Sequence, residues 1–180
     1  QVVSEECADA TPLEVGLVEQ WFGHRNNVDA LEALISKGYV VDTMEISAPW
    51  SRLDAIYEAA TAAISAVPGT LAASAHQSHS YVTGACLYFT FAAQVAPEER
   101  EAYYVAAWDA GTRAVLAHGG SLSHHHAVGL NRARFMPEVL GDGLDVLASV
   151  KAALDPNGIC NPGKLGLPDP FGGQAWPDAG

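Results

Sequence analysis

The sequence predicts an α+β domain, a largely antiparallel β-sheet covered by helices. Three observations carry that expectation. Helix-period and strand-period segments succeed one another in the order α-α-β-α-β-β-α-α. The run Ala85-Cys86-Leu87-Tyr88-Phe89-Thr90-Phe91 is apolar on both faces, as a central, doubly covered strand would be. The chain has 180 residues, 49% hydrophobic and only 17% charged. That is enough to bury roughly 70% of the unfolded surface in one core without staples.

Thr11-Pro12-Leu13-Glu14 reads as a capping box, with a hydroxyl N-cap, Pro at the first helical position and Glu at the third. It predicts a helix from about Pro12 to Trp21 or Phe22. Asn26-Asn27 caps a second helix carrying Val28, Leu31, Leu34 and Ile35 on one side, and Lys37-Gly38 closes it. Tyr39 to Ile46 reads as a strand, and Ser47-Ala48-Pro49-Trp50 as a turn. Ser51 caps an Ala-rich helix with Leu53, Ile56, Tyr57, Ala60 and Ile64 inward, ending before Pro68-Gly69. Thr70 to Ser80 and Tyr81 to Ala92 are the next two strands. Pro97-Glu98-Glu99 opens a helix with acids at its positive end, and it runs to His118 before Gly119-Gly120. Ser121 to Asn131 reads as loop, Leu144 to Leu154 as the last helix, and Asp155-Pro156-Asn157-Gly158 as a turn.

Composition excludes several functions. Lys plus Arg is 9 against 21 Asp plus Glu, a formal charge of −12. That sign opposes nucleic acid and anionic membranes, and no basic cluster acts locally. Cys7, Cys86 and Cys160 are odd in number and form no CxxC, which suits a reducing compartment; the expected location is cytoplasmic, with peripheral membrane association as the alternative. No apolar run approaches the ~20 residues of a membrane span, and Gln1 to Glu6 lacks the features of a signal peptide.

Four segments could carry chemistry. Gly119-Gly120-Ser121-Leu122-Ser123-His124-His125-His126 sets three imidazoles in a loop. A metal site and a solvated loop compete with an active-site loop. Adjacent histidines diverge and no Cys or acid lies at ligand spacing, so no metal is assigned, and substrate contact is preferred. In His76-Gln77-Ser78-His79-Ser80-Tyr81, period two puts Gln77, His79 and Tyr81 on one face and His76, Ser78 and Ser80 on the other. Tyr81 beside a His is either a proton-transfer group or a sheet-edge Tyr in water. Trp21-Phe22-Gly23-His24-Arg25-Asn26 offers Arg25 as a carboxylate or phosphate ligand. Leu154 to Lys164 is, by local physics, two successive turns. No dinucleotide fingerprint, P-loop or nucleophile elbow is present.

Taken together, these blocks resemble a family. Leu154-Asp-Pro-Asn-Gly-Ile-Cys-Asn-Pro-Gly-Lys164 is similar to the C-terminal signature of FAD-linked oxidases of the vanillyl-alcohol-oxidase type. Gly119 to Gly129, Ser78 to Phe91 and Glu45-Ile-Ser-Ala-Pro-Trp50 resemble the alkyldihydroxyacetonephosphate synthase branch, in the same order along the chain. Ala127 stands where that family has Gly. The resemblance implies a ferredoxin-like cap, or substrate, domain over residues 1–165, with 166–180 a Gly/Pro-rich tail. It implies an N-terminal FAD-binding domain outside this chain as partner, so that the segment alone is inactive. It further implies catalytic Tyr81, His125 and His126, substrate-binding Arg25, His79 and His124, and cofactor-binding Asn161 and Lys164. The cofactor is FAD, and the substrate an acylated dihydroxyacetone phosphate or, alternatively, a 2-hydroxy acid such as glycolate or D-lactate. Cations for such anions are few, which draws attention to Arg25, Arg132 and Arg134. A stand-alone metal-binding or homodimerising module is the reading of another class.

Overall fold

A computed structural model describes residues 5, 7–11, 13–25, 29–173 and 176. It divides into two units, residues 1–37 and 38–180.

The first unit contains α1 (Gly16–His24) and α2 (Asp29–Ser36). Helix α1 starts later than the capping box predicts. Val15 is its N-cap, without a side-chain cap, and Leu13 and Glu14 precede it. Pro12, Asn26 and Asn27 lie outside the described residues.

The second unit is built on one antiparallel sheet of order β1-β3-β2, from β1 (Tyr39–Pro49), β2 (Thr70–Ser80) and β3 (Gly84–Gln94). The apolar strand is central, as expected. A 3₁₀ turn, Trp50–Arg52, leads into α3 (Leu53–Ser65), and another, Pro97–Glu99, into α4 (Arg100–Ala117). After the histidine loop come three helices: α5 (Gly129–Ala133), α6 (Met136–Leu140) and α7 (Gly143–Leu154). The two short ones are not legible in the sequence, because one turn of helix has too few residues to show a period.

The sheet has one apolar and one polar face. Met44 faces Phe89 and Ile46 faces Leu87 across the β1–β3 ladder. With Phe91 and Ala93 they form a core with Leu53, Ile56, Ala60 and Ile64 of α3 and Tyr103, Ala107, Trp108 and Val115 of α4. Burial of each of Phe89 and Phe91 stabilises the fold by about 2–3 kcal/mol. Tyr57, expected inward, is exposed on α3. On the opposite face Thr43 pairs with Thr90, Glu45 with Tyr88 and Ser47 with Cys86, while β2 adds Ser74 and His76. Helices therefore cover β3 on one side only.

The period-two reading fails in β2. A register shift between Gln77 and Ser80 breaks the alternation, and the Gln77 amide donates to Ser80 Oγ at 2.9 Å across it. A bulge inserts a residue and re-aims the side chains beyond it. His76 and His79, assigned to opposite faces by alternation, consequently both meet the polar-face cluster: His76 stacks on Tyr88, and His79 packs against His124 and His125.

Candidate active site

The histidine loop is fixed from below by a buried carboxylate. Glu45 sits at mid-strand in β1 and is fully buried. Its Oε1 accepts from Ser123 Oγ at 2.6 Å and from the His126 N–H at 3.0 Å. Its Oε2 accepts from the N–H groups of His124 at 2.6 Å and His125 at 3.3 Å. Arg132 of α5 supplies the counter-charge, with Nη2 3.5 Å from Oε1. Burial pushes this carboxyl up, but the Ser123 hydroxyl, the backbone donors and Arg132 outweigh it and hold Glu45 below its ordinary value. A buried charge is tolerable only when so paired.

The loop is also tied to the strand by its backbone. Ser121 N–H donates to the Ser47 carbonyl and Ser47 N–H to Ser121 Oγ, each at 2.8 Å. Arg132 Nη1 donates to the Ala127 carbonyl at 2.7 Å. Ala127 has φ 63°, the left-handed region in which a Cβ costs about 1–2 kcal/mol. The Gly expected by family resemblance would occupy that conformation without the penalty.

With their N–H groups bound below, the three imidazoles form a hydrogen-bonded series with two tyrosines. Tyr81 Oη lies 2.9 Å from His124 Nε2, and His124 Nδ1 lies 2.8 Å from His125 Nδ1. His125 Nε2 lies 2.9 Å from Tyr88 Oη, and Tyr88 Oη lies 2.6 Å from His126 Nε2. Tyr81 belongs to the β2–β3 turn. Its N–H donates to the Gly84 carbonyl at 2.8 Å and its carbonyl accepts from Trp50 Nε1 at 3.1 Å. Its ring is half-exposed on a groove of about 600 Å³ lined by Ala48, Gly84, Ala85, Gly120 and His124. Burial and the Glu45 charge push the Tyr88 phenol up, which keeps it a neutral donor and acceptor.

The structure thus brings Tyr81, His79, His124, His125 and His126 together. Arg25 belongs to the first unit, its guanidinium over the Trp21 and Phe22 rings. Asn161 and Lys164 lie in the loops after α7, where Asp155 accepts the N–H groups of Ile159 at 3.1 Å and Cys160 at 2.9 Å. Sequence reasoning gave no role to Glu45 or Tyr88. The available signal was polar atoms at mid-strand in otherwise apolar runs, Met44-Glu45-Ile46 and Leu87-Tyr88-Phe89.

Among the described residues, His79, Cys86, His124 and His125 are the set that could offer a metal several donors, their ligand atoms lying within 4.8 Å of one another. The fold achieves by tertiary contact what chain spacing did not. Burial and Glu45 push the Cys86 thiol up, towards its neutral form, and the His124 and His125 ring nitrogens are already hydrogen-bonded. Nδ1 of His79 and both ring nitrogens of His124 and His125 are thus taken up by hydrogen bonds with neighbouring side chains, and no metal is assigned to the set.

The family model of the C-terminal domain of FAD-linked oxidases matches residues 9–165. The chain belongs to the FAD-linked oxidases. Within that family, an alkyldihydroxyacetonephosphate synthase from Trypanosoma brucei brucei is 40% identical over 105 residues, covering 58% of this chain and 17% of the relative. One from Dictyostelium discoideum is 42% identical over 92 residues, 51% of this chain and 15% of the relative. An uncharacterized FAD-linked oxidoreductase, YgcU of Escherichia coli K12, is 30% identical over 162 residues, 83% of this chain and 34% of the relative. A solved alkyldihydroxyacetonephosphate synthase superposes with a TM-score of 0.55 at 27% identity, covering 81% of this chain and 24% of that one. This FAD-linked oxidase domain therefore spans about a third or less of those relatives' lengths. It is an α+β C-terminal domain of the synthase-like kind. Among the described residues no helix is long and apolar enough to cross a membrane.

Proposed function

We propose that this domain caps the flavin of a longer, cytoplasmic FAD-dependent enzyme and supplies its substrate-binding and proton-transfer groups. Residues 1–165 form the cap, followed by a Gly/Pro-rich C-terminal segment from 166. An N-terminal FAD-binding domain is the partner that holds the cofactor, and the cap alone is inactive. The observation that carries this reading is the Tyr81 hydroxyl, 2.9 Å from His124 Nε2 at the edge of an open groove. A phenol in contact with an imidazole, and accessible to a ligand, is equipped to give and take a proton.

The residues present fit a flavin-dependent reaction on its proton-handling side. The chain has no Gly-rich phosphate cradle, so the cofactor's diphosphate must be held elsewhere. When bound, FAD supplies two-electron redox chemistry and an electrophilic ring. Tyr81 holds or moves the proton at the substrate's reacting carbon or hydroxyl, with His124 as its immediate partner. His125 and His126 adjust the charge behind that pair, and His79 packs on the His124 and His125 rings from β2. The small side chains of Ala48, Gly84, Ala85 and Gly120 leave the groove apolar and open beside Tyr81, which suits an acyl or alkyl chain. Arg25 is assigned to the substrate's anionic group, and Asn161 and Lys164 to the cofactor. An acylated dihydroxyacetone phosphate is the substrate class proposed.

The test is anaerobic mixing of the full-length flavoprotein with acylated dihydroxyacetone phosphate, then with a labelled fatty alcohol. The expected outcome is a change of flavin absorbance and incorporation of the alcohol. Bleaching by D-lactate or glycolate, with no alcohol incorporated, would overturn the synthase-like reading.

A further inference from the structure

We propose that Tyr81, His124, His125, Tyr88 and His126 form a proton conduit that joins two separate pockets. The inference rests on the reading of Tyr81 as the group that exchanges a proton with substrate. One pocket is the groove of about 600 Å³ that Tyr81 and His124 line. The other, of about 350 Å³, is lined by His126 with Asp42, Asn131 and Arg132. Between them run four consecutive links of 2.9, 2.8, 2.9 and 2.6 Å.

Every member can donate and accept at the same time, since a phenol does both at its oxygen and a neutral imidazole has one nitrogen for each. Four links need four protons, and five neutral groups carry five. In one direction Tyr81 donates to His124 Nε2, His124 Nδ1–H to His125 Nδ1, His125 Nε2–H to Tyr88 Oη, and Tyr88 to His126 Nε2. The fifth proton then sits on His126 Nδ1, 3.9 Å from Glu45 Oε1. Shifting one proton along each link breaks and forms four bonds to hydrogen and changes charge only at the ends. Tyr81 becomes a phenolate, which takes a proton from the substrate. His126 becomes an imidazolium beside the buried Glu45 carboxylate. Loss of its Nδ1 proton into the second pocket leaves all five groups neutral with every link reversed. The reversed array runs the other way, so one series both removes a substrate proton and returns one to a leaving group. No oxidant or reductant enters the step.

The surroundings favour this use over a rigid clamp. Glu45 also lies 3.9 Å from His125 Nδ1, so positive charge is stabilised at an inner position as well as at the end. His76 stacks on Tyr88 at 5.3 Å, and His79 packs on His124 and His125, so both fix ring planes and add titratable neighbours. Arg132 opposes a charge on His126 but is itself paired with Glu45. Cys86 faces the same cluster from β3, and Asp42, bound by Tyr104 Oη and Trp108 Nε1, faces the second pocket.

The test is a pH titration of ¹⁵N-histidine side chains in this chain by long-range NMR, comparing wild type with Tyr88→Phe. The Phe variant keeps the ring and removes only the relay oxygen, and the backbone amide spectrum checks that the fold is kept. The expected result is mutually dependent curves for His124, His125 and His126 in the wild type. In Tyr88→Phe, His126 should separate from the other two. Independent curves in the wild type would overturn the conduit, as would curves unmoved by the substitution. Stoichiometric zinc uptake by the chain would also overturn it, since a metal on His124 and His125 would displace the relayed protons. In the full-length flavoprotein, Tyr88→Phe should lower turnover about tenfold or more and weaken its solvent isotope effect. Unchanged turnover and isotope effect would count against the conduit. Coupled histidines in a protein that turns over no acylated ketone phosphate would sustain the conduit and sink the substrate assignment instead.

Discussion

Tyr81 has the most direct consequence for activity at the scale of single residues. Its hydroxyl meets His124 while its backbone is fixed by Gly84 and Trp50, so removing the oxygen should leave the turn in place. Tyr81→Phe in the full-length enzyme should cut turnover by about 10² or more with an unchanged melting temperature. Near-normal turnover would return Tyr81 to a sheet-edge role. Glu45 is the opposite case, a residue whose loss is felt first in stability. Glu45→Ala would leave Arg132 buried without its partner and release the loop's N–H groups, costing roughly 3–5 kcal/mol in denaturant unfolding. Its pH dependence has a fixed sign. The folded value is held below the ordinary 4.5, so the carboxylate's contribution is complete above that pH. It is lost as pH falls further, through the lowered folded value. Wild type should lose stability in that acid range more steeply than Glu45→Gln. Parallel stability–pH curves would contradict this.

Gly84 carries the sharpest constraint among the secondary elements. A Cβ there would lie 2.1 Å from the Ala48 carbonyl oxygen, so β1 and β3 could not keep their spacing at the Pro49–Gly84 pair. Gly84→Ala should destabilise by about 3 kcal/mol, measured by urea unfolding, and should also disturb the groove beside Tyr81. Much of the element pattern was legible from the sequence. Strand β2 matches its expected bounds, β3 is central, and Leu53, Ile56, Ala60 and Ile64 face inward from α3. These come from local periodicity, which residues express without reference to the rest of the chain. Misses arose where local rules were overridden. The capping box before α1 is not the helix start, and the bulge in β2 moved His79 onto the His76 side. A bulge depends on the register with β3, which no window of β2 contains.

The whole molecule has a hidden thiol and two open ones. Cys7 and Cys160 are exposed, while Cys86 is fully buried in β3 with its thiol pushed up by burial and Glu45. In this folded chain an aromatic disulfide reagent should therefore titrate two thiols, and the third only after unfolding. Three fast thiols would mean that the polar face opens readily. The sheet is asymmetric at this scale, with helices on its apolar side and the tyrosine–histidine array on the other.

Local patterns in the chain were enough to read the α+β class, the central strand, the net negative charge and the loop in which three histidines stand. Its motif blocks also pointed to the FAD-linked oxidases, because each block is contiguous in the chain. What those histidines touch depends on contacts between segments far apart in the chain. Glu45, Tyr88 and His126 are separated by 38 to 81 positions, yet they meet because β1 pairs with β3 and the loop folds back over both. A buried carboxylate also needs donors from distant segments before it can remain charged, and only the completed fold brings them to it.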